Sequence, residues 1–247
     1  MKEEIILFIK KFNSIRALGF VKAINNYNSG IGLTFEKLIG KESDNFPLPD
    51  FYNLIEIKTK LIYSKTPIHL FKLTPYGNSF IETKRIYEKY GYYRSVDNEF
   101  KVFNGTIYAN KILKIGLNYY FSLDVNHIEK KVKLLVYNSQ MKMIDCTTYW
   151  DFDSLENALI RKLNYLALVF VCKKNINQET HYKYIKYNIY KLSDFNTFLI
   201  LLSKGVIGIT FSIDVYKNEK RYGQIHDHGT TFNINKNDIE KLFRRIL

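Results

Sequence analysis

The run Leu48-Pro49-Asp50-Phe51-Tyr52-Asn53-Leu54-Ile55-Glu56-Ile57-Lys58-Thr59 constrains this chain more than any other stretch. Residues 54–61 are apolar and β-branched enough to form a strand, and side chains on a strand alternate faces. Glu56 and Lys58 therefore project to one side, and Ile55 and Ile57 to the other, into a core. Pro49 ends any preceding helix, which leaves Asp50 at the mouth of a hairpin or bend within reach of Glu56. A fold that uses this run has to bury one face of a strand while holding two carboxylates and an ammonium together on the other.

Those groups suit metal-assisted hydrolysis of a phosphodiester. Mg²⁺ takes one or two carboxylates and keeps several waters, so Asp50 and Glu56 suffice as ligands. A metal held there neutralises charge on the scissile phosphate and lowers the pKa of a bound water. Lys58 can position that water or stabilise the developing charge. Upstream, Phe35, Leu38 and Ile39 mark the apolar stripe of a short helix ending at Gly40. That helix places Glu36 on the flank facing the Asp50–Glu56 pair, where it can orient the lysine or a second water. By itself a Glu-x-Lys alternation is equally the pattern of a solvated strand face with a weak ion pair. The surrounding sequence decides between the two.

The block Asn28-Ser29-Gly30-Ile31-Gly32-Leu33-Thr34-Phe35-Glu36-Lys37-Leu38-Ile39-Gly40 precedes Pro49-Asp50 and Ile55-Glu56-Ile57-Lys58-Thr59-Lys60. Further on come Ile68-His69-Leu70-Phe71-Lys72 and His226-Asp227-His228-Gly229-Thr230-Thr231-Phe232-Asn233-Ile234. In this order the four blocks resemble the MvaI/BcnI-like restriction endonucleases, relatives of MutH. The resemblance implies a PD-(D/E)xK restriction-endonuclease-like α/β fold, a mixed sheet flanked by helices, with two lobes around a DNA-binding cleft. It implies a type II restriction endonuclease that depends on Mg²⁺, with Mn²⁺ as a substitute, and cuts a short site in double-stranded DNA. Carried over position by position, Asp50 and Glu56 are the metal ligands, Lys58 the catalytic lysine and Glu36 the helix glutamate. Lys60, Lys72, His226, Asp227, His228 and Thr231 are the DNA-binding candidates, the last four in a loop entering a groove. Asn233 stands where the family often has Arg. A monomer nicking each strand in turn, and a cognate DNA methyltransferase encoded nearby, also follow from the resemblance. Two rival readings remain: a MutH-like strand nickase of mismatch repair, and a catalytically idle DNA-binding module.

The His226–Gly229 segment read from its residues alone leaves several choices. A metal site needs two further ligands, and the neighbouring sequence supplies none. A histidine-metal nuclease leaves Glu56 and Lys58 idle. A plain exposed turn fits, as does a DNA-contacting loop in which Gly229 permits close backbone approach.

Composition narrows the partners. Among 247 residues, 37 Lys+Arg against 24 Asp+Glu give a formal charge of +13, which favours phosphate backbones. The 20 Tyr and 18 Phe form no RNA-recognition motif and serve mainly as core. Cys146 and Cys172 lack metal spacing and read as reduced thiols. Ile5-Ile6-Leu7-Phe8-Ile9 is too short for a signal peptide or a membrane span, so the expected location is the cytoplasm.

The periodicity predicts a helix over residues 2–18, with Ile5, Ile9, Phe12 and Ile15 on one face. Residues 25–32 read as a loop, and residues 66–150 as β-rich with turns at Asn104-Gly105, Gly116 and Asn138-Ser139. A helix over 154–165 leads into a strand over 166–172, and a Tyr-rich strand covers 181–191. Ser193 is expected to cap a helix stopped at Gly205, followed by a strand over 206–215, with a basic helix from Asp238 to Leu247. No repeat or linker divides the chain, so residues 1–247 read as one domain. Its catalytic lobe is expected over about 1–110 and its recognition lobe mostly over about 111–247.

Overall fold

The computed structural model describes residues 2–27, 29–41 and 48–247. Asn28, the first residue of the glycine-containing block, lies outside them. Along the chain run α1 (Glu3–Ala17), β1 (Val21–Lys22), α2 (Gly30–Ile39), β2 (Ile55–Leu61), β3 (Ile68–Lys72), α3 (Ser79–Tyr90), β4 (Phe103–Ile107) and β5 (Leu113–Ile115). There follow β6 (Tyr119–Asn126), β7 (Lys131–Tyr137), β8 (Met143–Asp145), β9 (Tyr149–Asp151), α4 (Phe152–Leu163), β10 (Tyr165–Ile176) and β11 (Glu179–Leu192). The last elements are α5 (Phe195–Ser203), β12 (Ile207–Val215), β13 (Ile225–Asp227), β14 (Thr231–Ile234), α6 (Ile239–Leu242) and β15 (Phe243–Arg245).

Two compact units share these elements. The first takes residues 1–66, 159–193 and 240–247, and the second residues 67–158 and 194–239. In the first unit the sheet runs β1-β11-β10-β2, with β15 pairing β11. Among the described residues only β2 and β10 are parallel in it, with Glu56 opposite Leu166 and Lys58 opposite Leu168. One face packs on α1 and α2: Ile5, Phe8, Phe12 and Ile15 meet Phe35, Ile39, Ile55, Ile57, Val169 and Tyr184. Phe8 and Phe12 are fully buried, and each contributes roughly 1.5–3 kcal/mol through apolar area removed from water. Burial of the α1 stripe at three-, four- and three-residue steps explains why this stretch is a helix.

The second unit holds two sheets, β13-β12-β14-β3 with β4 on β12, and β5-β6-β7-β8 with β9 on β7. The aromatic side chains Phe71, Phe103, Phe121, Trp150, Phe198, Phe211 and Phe232 contact one another in its core. The first Asp-capped helix after β11 is held by Asp194, which accepts from Thr197 N–H at 2.6 Å. The expected cap, Ser193, is one residue too early.

Three local expectations are corrected. Asn104-Gly105 is no turn but the middle of β4, with Gly105 opposite Phe211. A Cβ on Gly105 would stand 2.6 Å from Ile115 Cδ1, so the glycine serves close packing rather than a bend. Residues 238–247 do not form one helix: α6 spans a single turn, and Phe243–Arg245 joins the sheet edge against Tyr190–Leu192. Phe243 is buried, so strand pairing there brings apolar burial that an exposed basic helix lacks. Finally, the β-rich middle contains α3, capped by Asn78, which accepts from Phe80 and Ile81 N–H.

Candidate active site

Alternation on β2 sorts its side chains as the sequence requires. Ile55 and Ile57 enter the core of the first unit, and Glu56 and Lys58 share the opposite face with Lys58 Nζ 2.6 Å from Glu56 Oε1. Asp50 arrives through a tight reversal: Phe51 N–H donates to Ile55 O at 2.9 Å and Ile55 N–H returns to Phe51 O at 3.1 Å. The reversal passes through Tyr52 and Asn53 at φ 50° and 53°. That conformation is tolerated by Asn and is costly for Tyr. Its effect is to aim Asp50 Oδ2 at the Ile57 N–H, which it accepts at 2.9 Å.

Two lysines that no motif marks complete the cluster. Lys41 Nζ lies 2.5 Å from Asp50 Oδ1. Gly40 ends α2 at φ 87°, and the Lys41 N–H closes back on Glu36 O at 2.8 Å, which turns the lysine toward the site. Lys162, in the last turn of α4, donates to Leu48 O at 2.7 Å and stands 2.8 Å from Glu56 Oε2. Glu56 Oε2 is thus buried with the Lys162 ammonium against it, an ion pair that pulls the carboxyl downward. Nothing in the local sequence signals Lys162. It reaches Glu56 because β10, which follows α4 directly, pairs in parallel with β2.

The electrostatics fit a cation site. Glu56 is 1% exposed. Burial raises its carboxyl above the ordinary range; Lys58 and Lys162 pull it down, Asp50 pushes it up, and the balance stays upward. Glu36 on α2 is raised by burial and by Asp50 and Glu56, against the lowering charges of Lys41 and Lys58. Asp50 is also pushed up by burial, but Lys41, the Ile57 N–H, Lys162 and Lys58 together bring it below the usual carboxylate range. Three neighbouring carboxyl groups, two of them raised by burial and by the charge of the others, suit a hard divalent ion bound through oxygen.

The remaining predicted residues fall in two places. Lys60, buried on β2, bonds Thr66 Oγ1 through its ammonium. Lys72, His226, Asp227, His228 and Thr231 come together in the second unit. Lys72 is paired with Thr231 across β3 and β14, and its Nζ donates to His228 O at 2.6 Å. Asp227 accepts from Gly229 N–H at 2.7 Å and from Thr83 Oγ1 at 2.9 Å. Thr231 is buried, and so is Asn233, whose Nδ2 donates to Thr210 Oγ1 and Thr231 O. Asp214, on β12 opposite His226, also belongs to this group and was not foreseen.

A mixed α/β scaffold that brings an aspartate, a glutamate and a lysine together on adjoining backbone has the architecture of the PD-(D/E)xK restriction-endonuclease-like fold. The sequence profile of the MvaI/BcnI restriction endonuclease family matches residues 9–243. No curated protein matches the chain. Among solved structures, the chain is similar to the restriction endonuclease MvaI–cognate DNA substrate complex, at 31% identity over 100% of both chains and a TM-score of 0.90. It is also similar to restriction endonuclease MvaI in the absence of DNA, at 29% identity over 100% of this chain and 99% of that one, with a TM-score of 0.63. The chain belongs to the MvaI/BcnI restriction endonuclease family, and its activity is that of a type II restriction endonuclease acting on DNA.

Proposed function

We propose that the protein hydrolyses a phosphodiester at a short specific site in double-stranded DNA through the Glu36–Asp50–Glu56–Lys58 group, with Mg²⁺ held by Asp50 and Glu56. The buried Glu56 carboxylate, with one oxygen facing Lys58, the other facing Lys162, and Asp50 close enough to raise it, carries this reading. When bound, the ion supplies charge neutralisation at the phosphate and a more acidic water. Lys58 offers its N–H donors to the attacking water or to the charge developing on the phosphate, while Glu56 Oε1 fixes its direction at 2.6 Å. Glu36, its carboxyl raised by burial, orients the lysine or a second water. Lys41 and Lys162 are positioning residues that hold Asp50 and Glu56 in place.

In the second unit, the loop from His226 to Thr231 meets the DNA groove. His226, His228 and Lys72 present polar groups, while Asp227, with both oxygens occupied, keeps the loop in shape. Lys60, bonded to Thr66 Oγ1, and Thr231, whose hydroxyl donates to Gly229 O, act by holding the segments around them. The first unit thus carries cleavage and the second recognition. The enzyme works in the cytoplasm as a monomer nicking each strand in turn, beside a cognate methyltransferase encoded nearby. Among the described residues no helix is long and apolar enough to cross a membrane.

Cleavage of unmethylated supercoiled plasmid tests the whole reading. With Mg²⁺ the wild type is expected to give discrete bands, preceded by nicked circles, and Lys58→Ala is expected to lose about 10²–10³-fold in rate, the scale of removing a transition-state charge donor. Full cleavage by Lys58→Ala would refute the assignment. Tight duplex binding without cleavage by the wild type would favour the idle-module or partner-dependent nickase alternatives.

A further inference from the structure

We propose that Asp214, His226 and His228 form a second divalent-metal site, in the second unit and separate from the carboxylate group, that takes a borderline transition ion such as Zn²⁺ or Co²⁺. The strand register brings the ligands together: Asp214 on β12 stands directly opposite His226 on β13, and His228 follows two residues later. His228 Nε2 lies 3.0 Å and His226 Nδ1 3.7 Å from the same oxygen, Asp214 Oδ1. All three candidate ligand atoms fall within 4.8 Å of one another. Around a tetrahedral ion with bonds of 2.0–2.2 Å, ligand atoms are spaced by about 3.4 Å, so small side-chain adjustments suffice.

A hydrogen bond accounts for the His228 approach but not for that of His226, which at 3.7 Å is beyond hydrogen-bond length. The imidazole of His226 is instead held by Tyr216, stacked at 4.0 Å between centroids and 19° between planes, and by His228 at 4.0 Å. The backbone carrying both histidines is braced before any ion arrives. His228 N–H donates to Ser212 O at 3.0 Å, Asp227 is held by Thr83 and Gly229, and Lys72 grips His228 O. A preformed site loses little ordering entropy on binding. Two nitrogens and one carboxylate select Zn²⁺, Co²⁺ or Ni²⁺ over Mg²⁺, which prefers an all-oxygen shell. Three protein ligands also leave a position open to water or to an outside group. Occupied, the site withdraws both imidazoles from other partners, so Zn²⁺ competes with duplex DNA; this consequence rests on the loop's proposed role in DNA contact.

The test titrates the full-length, metal-free protein with Co²⁺, read by its visible absorption, and with Zn²⁺, read by calorimetry. The Asp50→Asn/Glu56→Gln double variant is expected to keep one equivalent of tight binding with a four- or five-coordinate Co²⁺ spectrum. Asp214→Asn and His228→Ala, each checked for a wild-type thermal transition, are expected to lose at least about 100-fold in affinity. Binding unchanged in both of those variants would overturn the site, as would a wild type whose only tight ion disappears with Asp50 and Glu56. A duplex-binding assay separates the site from its consequence. Zn²⁺ competition lost in Asp214→Asn supports both, whereas Zn²⁺ binding without competition keeps the site and removes the loop's assignment to DNA.

Discussion

Lys162 and Glu56 Oε2 form the pair on which the metal-free site depends most. The carboxylate is buried, and without Lys162 one of its oxygens would face neither charge nor donor. Lys162→Met keeps helix propensity and stem volume while removing the ammonium. It is expected to destabilise the metal-free protein by about 2–3 kcal/mol, below the cost of breaking a fully buried pair because water reaches the lysine. Mg²⁺ should restore part of that loss, widening the gap between urea midpoints with and without the ion beyond the wild-type gap. Equal gaps would mean that the ion and Lys162 do not share Glu56. A second residue with a clear sign is Asp145. Burial pushes its carboxyl up, but hydrogen bonds from Tyr90, from the Thr147 N–H and hydroxyl and from Arg85 outweigh this and hold it well below the usual range. A depressed folded value contributes stability that is fully present above about pH 4 and fades as the pH falls through that value. Asp145→Asn is therefore expected to cost roughly 2 kcal/mol at pH 7 from lost charge-assisted hydrogen bonds, and less at pH 3. Urea unfolding at the two pH values measures the difference, and a cost that grows on acidification would contradict the network.

Among the elements, α2 matters through its exit as much as through its length. Gly40 holds φ 87°, and the turn it makes directs Lys41 onto Asp50. Gly40→Ala is expected to cost about 1 kcal/mol, because Ala resists a left-handed backbone, and to lower cleavage at least tenfold by misplacing Lys41. Asp194→Ala supplies the control: it removes the cap of α5 at a similar cost of about 1 kcal/mol, with cleavage nearly unchanged. Equal activity losses in the two variants would reduce the Gly40 effect to stability alone. The elements that were legible in the sequence are those whose apolar pattern is regular. The α1 stripe, β2 and the long apolar start of β10 show their burial in the order of residues. The others were hidden because tertiary contacts decide them. Asn104-Gly105 carries turn chemistry, but Ile115 and the partner strand make it a strand. Helix α3 buries only Thr83, Ile86 and Tyr90, too sparse a stripe to stand out. Residues 243–245 become a strand only because β11 offers an edge.

Across the whole molecule, the chain leaves the first unit after residue 66, returns over 159–193 and closes it with 240–247. The parallel pairing of Tyr165–Val171 with Ile55–Leu61 joins segments more than a hundred residues apart. No local pattern announces that pairing, which is why Asp50, Glu56 and Lys58 were readable from their own segment while Lys162 was not. The formal charge of +13 is also a property of the whole chain. If it acts on phosphates, each neutralised phosphate releases counterions, and duplex affinity falls as a power of salt concentration. Engagement of about six phosphates predicts a loss near 10³-fold between 50 and 200 mM salt. The measurement is a duplex-binding titration across that range with Ca²⁺ in place of Mg²⁺, on both specific and unrelated duplexes. Because phosphate contacts carry no sequence information, the two slopes should be similar while the affinities differ. Replacing Lys72 by Gln should weaken binding to both duplexes and reduce the salt slope if its ammonium meets a phosphate. If Lys72 instead only supports the histidine loop through His228 O, the slope stays and the preference for the specific duplex drops. A flat salt dependence for the wild type would show that the excess of lysine is not directed at DNA at all.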